Sequence, residues 1–456
     1  MENSRELILD MLMEILEKGT YSHLVIRDVL DKYNYIDHRD KAFIKRVTEG
    51  TLERKLQIDF ILDRFSKVPV SKMKPLIRNL MRMSVYQLLF MDSIPDSAVC
   101  NEAVKLAGKR GFRGLSGFVN GVLRNIARNR HKIDYPNLSL RYSMPEWLVK
   151  MWSNAYGEER THCILEGLLE EHPVTIRLKE SLSSAQKEDW LKALEREKVK
   201  VSSHPYLPYA YQVENTEGVR NLPGYEEGHF AVQDVSSMLV AEVAGAGKEG
   251  VSDGQTGDDK TVTRLLVVDV CAAPGGKSLH MAEKLGECGE IHSRDLTEHK
   301  VSLIRDNIER MGYKNITAEV FDASITDESL IEKADVVLAD LPCSGLGIMG
   351  KKRDIKYRIT PETLKELEGL QRQLLHVIWQ YVKPGGVLIY STCTINPGEN
   401  QEMVRWFLKE HPFTLESLAP FLPEMLQEEG MEGMLQLFPG IHETDGFFLA
   451  RMRRKG

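Results

Sequence analysis

Leu265-Leu266-Val267-Val268-Asp269-Val270-Cys271-Ala272-Ala273-Pro274-Gly275-Gly276-Lys277-Ser278 is the stretch that decides the fold. Its first six residues read as a buried strand, and the small residues after Val270 form a tight turn that opens a helix. Where a strand becomes a helix, small side chains let the backbone come close to a ligand. Two standard phosphate loops do not match. A P-loop needs Gly-x-x-x-x-Gly-Lys-Ser/Thr, and although Gly276-Lys277-Ser278 agree with its end, its first position is Cys271. The dinucleotide fingerprint Gly-x-Gly-x-x-Gly is absent from this stretch.

Downstream, Glu290-Ile291-His292-Ser293 reads as a second strand with Asp295 just beyond it, where an acid suits the two hydroxyls of a ribose. Asp322 follows the strand-like Thr317–Phe321, where a carboxylate can accept from an adenine amino group. The loop and the two acids predict an adenosine-containing ligand. Two further strands each end in a cysteine. Asp335–Asp340 runs into Leu341-Pro342-Cys343-Ser344-Gly345, and Gly386–Ser391 into Thr392-Cys393-Thr394. Active sites of open α/β sheets form beyond the carboxyl ends of the strands, so both thiols are expected in one cleft. A lone cysteine is usually a small buried hydrophobe. Two at matched strand ends beside a ligand loop point to chemistry, and the residues alone do not rank them.

Strands and helices alternate from there to the end, predicting a mostly parallel, Rossmann-like sheet in a domain spanning 226–456. Within it, residues 245–262 are rich in glycine and poor in apolar side chains, as in a flexible loop. Residues 139–225 read as a small α/β connector, with a strand at Val174–Leu178 and a helix from Ala185 to Glu197. Residues 1–138 read as all-helical. Leu7, Ile8, Met11, Leu12, Ile15 and Leu16 recur at helical spacing between Ser4 as N-cap and Gly19. Phe118, Val119, Val122, Leu123 and Ile126 make a second stripe, with Arg124 and Arg128 off it.

The formal charge of −7 hides an asymmetry. Residues 1–135 hold 24 Lys+Arg against 17 Asp+Glu, and no acid occurs from Ala103 to Ile133. A local basic field attracts phosphates whatever the total, which nominates Arg124, Arg128 and Arg130 for RNA. The basic segment Lys351-Lys352-Arg353-Asp354-Ile355-Lys356-Tyr357 is expected to lie over the cleft, with Lys351, Arg353 and Lys356 on phosphates. No run reaches the roughly 18 apolar residues of a membrane helix. The amino terminus lacks the pattern of a secretion signal. Six scattered cysteines without a Cys-x-x-Cys pair suggest neither metal nor disulfides, and a cytoplasmic protein.

Two resemblances sharpen this reading. Pro95–Ala107 and Phe118–Arg124 resemble the NusB-type RNA-binding helical domain. Asp269–Ser278, Asp340-Leu341-Pro342-Cys343-Ser344-Gly345, Ser391-Thr392-Cys393-Thr394 and Thr444–Ala450 resemble the RNA cytosine-5 methyltransferases, and with the helical part the chain is similar to the RsmB/Sun type. The resemblance implies S-adenosylmethionine bound by Cys271, Ala272, Ala273, Pro274, Gly275, Gly276, Lys277, Asp295, Asp322 and Asp340. It also implies methylation of C5 of a specific cytidine in 16S ribosomal RNA through a covalent Cys–C6 intermediate. Cys393 is the implied nucleophile, Cys343 assists proton removal and product release, and Asp340 sits against the base. The implied partner is small-subunit ribosomal RNA, acted on by a monomer with no obligate protein partner. Transfer RNA is the alternative substrate, and a non-catalytic RNA-binding assembly or antitermination factor the alternative class. Leu341 stands where the family commonly has alanine and is expected to face packing rather than chemistry.

Overall fold

A computed structural model describes residues 3–33, 35–216, 218–245 and 264–456. Most of the expected flexible loop therefore lies outside the described residues. The chain forms two compact units, Met1–Glu170 with Met349–Arg358, and Glu171–Ile348 with Ile359–Gly456.

The first unit is helical. Its opening helix, Ser4–Glu17, buries Leu7, Ile8, Met11, Leu12 and Ile15, the stripe seen in the sequence. Asn3 caps it rather than Ser4, accepting from the Arg5 amide at 2.9 Å. The helix Ser116–Asn129 buries Val119, Val122, Leu123 and Ile126 and leaves Arg124 exposed. Two helices assigned above to the connector, Glu146–Tyr156 and Glu158–Gly167, belong to this unit.

Met349–Arg358 joins it too, which corrects the expected position of the basic segment. Lys356 is 4% exposed, and its ammonium nitrogen lies 2.7 Å from the carbonyls of Glu53 and Ser143. Arg353 pairs with Glu53. Asp354 accepts from the Ser22 hydroxyl at 2.5 Å, and Tyr357 donates to the Leu52 carbonyl at 2.9 Å. These groups fasten the segment among helices, so Lys356 and Arg353 do not face RNA phosphates. Lys351 stays exposed.

The second unit begins with an antiparallel sheet of order β2-β3-β1-β4, built from β1 (Val174–Leu178), β2 (Lys200–Ser203), β3 (Ala210–Glu214) and β4 (Phe230–Val232). The helix Ser184–Arg196 packs Trp190 and Leu194 into its core, behind a Ser183–Gln186 capping box. The larger sheet holds β5 (Leu265–Asp269), β6 (Gly289–Asp295), β7 (Ile316–Val320), β8 (Ala334–Asp340), β9 (Val382–Thr392), β10 (Phe413–Leu415), β11 (Met434–Leu437) and β12 (Phe447–Arg454). Its order is β10-β12-β9-β8-β5-β6-β7, with β11 paired to β12. β7, β6, β5, β8 and β9 run parallel, and β12 lies antiparallel beside β9. The order reverses at β5, which opens a crevice beyond the carboxyl ends of β5 and β8.

Burial pulls the Lys356 ammonium down to about 7. Above that pH the unfolded chain holds a proton that the folded chain lacks, so Lys356 adds stability as pH rises from 7 towards the ordinary lysine value. Urea unfolding is expected to show this rise in the native chain and its loss in Lys356→Met. At pH 9 the variant also leaves two buried carbonyls without a donor and is expected to lose about 2–4 kcal/mol. An unchanged pH slope contradicts this reading.

Candidate active site

The turn after β5 is held by its own backbone and by Asp295. Gly275 donates to the Ala272 carbonyl at 2.7 Å, and Ala272 to the Arg294 carbonyl at 2.8 Å. Asp295 Oδ2 accepts from the Ala273 amide at 3.0 Å, and its Oδ1 from the Leu296 amide at 2.8 Å and Lys300 at 2.9 Å. Gly275 has φ +104°, and a Cβ there would stand 3.3 Å from Ile304. This position requires glycine. Asp322 lies just past β7, where the Ser324 hydroxyl and amide hold its carboxyl below the usual range. The half-buried Cys271 thiol is pushed up first by burial and then by Asp269, Asp295 and Asp340. Of these carboxyls, Asp295 holds Lys300 and Asp340 holds Lys277, while burial pushes Asp269 up to about 7.

Asp340 ends β8, and its register partner on β9 is Ser391. That pairing sets the two cysteine turns side by side, with the sulfurs of Cys343 and Cys393 3.2 Å apart. Asp340 Oδ1 accepts from the Ser391 hydroxyl at 2.7 Å, and Oδ2 from the Lys277 ammonium at 2.7 Å. Sequence reasoning grouped Lys277 only with the cofactor loop, but its head reaches the end of the next strand. Burial works against its charge, yet Asp340, with smaller help from Asp269 and Cys393, holds its pKa above the ordinary lysine value. The Cys343 thiol is pushed well up, foremost by its hydrogen bond with Cys393 and next by burial. Leu341 is 3% exposed and packs into the core, as its position predicted.

In the first unit the acid-free run does not remain an acid-free surface. Glu6 pairs with Lys109, and Asp10 accepts from Arg110 at 2.5 Å. Glu102 takes Lys105 at 2.8 Å, and Asp96 pairs with Arg130. Arg124 is oriented by Asn120 at 2.9 Å. With Arg128, Asp96, Ser97 and Cys100 it lines a cavity of about 310 Å³. No carboxylate pairs with Arg124 or Arg128 among the described residues, nor with the exposed Arg113 and Lys132 of the same run.

Family models match three segments: 16S rRNA methyltransferase RsmB/F over residues 259–453, the NusB family over 2–128, and an RsmF/B-like methyltransferase ferredoxin-like domain over 144–220. A solved methyltransferase homologue from Pyrococcus horikoshii aligns with 70% of this chain and 100% of its own, at 27% identity and a TM-score of 0.55. The ribosomal RNA small subunit methyltransferase B described as probable in Synechocystis sp. (strain ATCC 27184 / PCC 6803 / Kazusa) is 30% identical over 100% of both chains. Its probable counterpart in Bacillus subtilis (strain 168) is 36% identical over 99% of both. Likeness sustained from one end to the other, through every segment described above, means that the chain belongs to the ribosomal RNA small subunit methyltransferase B family.

Proposed function

We propose that this S-adenosylmethionine-dependent methyltransferase acts on C5 of a cytidine in small-subunit ribosomal RNA, with Cys393 as nucleophile and Cys343 as the group that completes the cycle. The observation that carries the proposal is the pair of thiols 3.2 Å apart beside the Lys277–Asp340 ion pair. Cytosine C5 is too weak a nucleophile to take a methyl group unaided. A thiolate added to C6 makes C5 nucleophilic. When bound, S-adenosylmethionine supplies an electrophilic methyl on a cationic sulfur. The turn at 271–276 and the Asp295 carboxylate that holds it are the residues that would carry that cofactor.

The 3.2 Å contact lets one thiol act on the other, as the assignment requires. The Cys343 thiol, pushed well up, can donate its S–H to the sulfur of Cys393. Once Cys393 is bonded to C6, it is no longer a charged acceptor, and the largest cause of the raised Cys343 pKa disappears. Cys343 can then give its own proton to solvent and, as thiolate, take the C5 proton. The C5–H electron pair restores the C5–C6 double bond, and Cys393 leaves as thiolate. Addition to C6 puts negative charge on the pyrimidine ring, which the Lys277 ammonium is suited to offset. Asp340 anchors that ammonium and offers an acceptor to the exocyclic amino group of the base.

On this reading Cys393→Ala abolishes both methylation and covalent adduct, whereas Cys343→Ala accumulates an RNA adduct that survives denaturing electrophoresis. The reverse pattern exchanges the roles. Asp295→Ala releases the Ala273 and Leu296 amides and is expected to weaken S-adenosylmethionine binding by about tenfold or more in calorimetry. An unchanged affinity removes Asp295 from the cofactor site. Replacing Arg124 and Arg128 by alanine weakens RNA binding and lowers its salt slope by roughly 0.7–0.9 for each phosphate no longer neutralised. Replacing Arg130, already paired with Asp96, changes it less. Equal effects from all three would place RNA elsewhere or spread it evenly.

A further inference from the structure

Behind the two sulfurs lies a second matched pair. Ser344 follows Cys343, Thr394 follows Cys393, and their hydroxyl oxygens are 2.7 Å apart. Next to them is the carboxylate of Glu399, a residue 0% exposed that belongs to none of the sequence motifs above. Four donors converge on it. The Ser344 amide reaches Oε1 at 2.8 Å, and the Ser344 hydroxyl reaches Oε2 at 2.5 Å. Gln371, from the helix Pro361–Ile378, reaches Oε1 at 3.1 Å, and Asn396 reaches Oε2 at 3.0 Å. Gln371 also donates to the Pro342 carbonyl at 2.9 Å, directly ahead of Cys343.

Two donors on each oxygen fill the acceptor capacity of an ionised carboxylate and leave no room for a proton or an amide hydrogen. The charge also fixes the direction of the chain of hydroxyls. Ser344 must donate to Glu399, so Thr394 donates to Ser344, and the Asn396 amide at 3.2 Å donates to Thr394. Burial pushes the Glu399 carboxyl up, and the four donors counter it. Such a buried anion is costly unless its partners stay in place, so it holds them there. Most of the grip falls on the Cys343 turn, through both groups of Ser344 and through the shared Gln371. The Cys393 turn is held more indirectly, by Thr394 and Asn396.

We propose that Glu399 is a positioning residue that sets Cys343 against Cys393 and thereby governs release of the covalent intermediate. The proposal rests on the roles assigned to the two thiols above. Glu399→Gln presents an NH2 where a donor already points, so it opens the Cys343 turn despite its similar shape. Methyl transfer and adduct are measured on the full chain with an RNA substrate, and S-adenosylmethionine binding by calorimetry. Turnover is expected to fall on the order of 10–100-fold, the scale of a small misplacement of a reacting group. Denaturation-resistant adduct is expected to rise, while cofactor affinity stays within about threefold of the native value. In a Cys343→Ala background the change is expected to add little further loss, because both act on one step.

Native turnover in Glu399→Gln overturns the proposal. So does a joint fall in turnover and adduct with cofactor binding intact, which signals a general structural role. If Glu399→Gln fails to fold, Ser344→Ala removes a single hydroxyl donor and must show the same shift from turnover towards adduct; its absence overturns the proposal. Should Cys343→Ala itself trap no adduct, the thiol assignment fails. Should Cys343→Ala trap adduct and Glu399→Gln not, only the positioning role fails.

Discussion

The register of two adjacent parallel strands is the constraint on which the site depends. Asp340 on β8 faces Ser391 on β9, and each chain leaves its strand within three residues of that pair. A slip of one residue would turn every side chain of the slipped strand to the other face of the sheet and part the sulfurs. The register is secured by a long buried surface. Val336, Val337, Leu338 and Ala339 pair with Val387, Leu388, Ile389 and Tyr390, and all eight are buried. Each of the valine, leucine and isoleucine side chains contributes roughly 1.5–3 kcal/mol when fully buried, so the core spends its energy on the geometry that the chemistry uses. The ion pair from Asp340 to Lys277 then brings the β5 turn into the same arrangement.

The site was legible in the sequence where chemistry and chain direction coincide. A strand, a turn of small residues and a helix are local features, so the turn at 271–278 was readable without any tertiary contact. The cysteines were readable because strand ends in a parallel sheet share one edge. The contact of Lys277 with Asp340 was hidden, since its motif position is fixed by the turn while its head group reaches another strand. Glu399 was hidden for a different reason. A glutamate beside Pro397, Asn396 and Asn400 looks like loop surface until four donors on three residues, Ser344, Gln371 and Asn396, are found around it.

Charge was the least transferable reading. The acid-free run from Ala103 to Ile133 is a fact of the chain, yet Glu6 and Asp10 arrive from a helix about a hundred residues earlier to pair with Lys109 and Arg110. Lys356 shows the same failure more sharply. Its neighbours in sequence are basic and polar, but its ammonium is buried on two carbonyls supplied by residues some two to three hundred positions away. Sequence patterns report local periodicity well because one element produces them. They report the sign of a surface poorly because several elements build it.

The mechanism turns on which sulfur bonds to the base. RNA containing 5-fluorocytidine tests that directly, because a fluorine at C5 cannot leave as a proton does and the adduct persists after methyl transfer. Digesting the trapped complex and sequencing the nucleotide-bearing peptide by mass spectrometry identifies the attacking residue. The expected result is modification of the peptide containing Cys393 with Cys343 free. A nucleotide on Cys343 would contradict the mechanism.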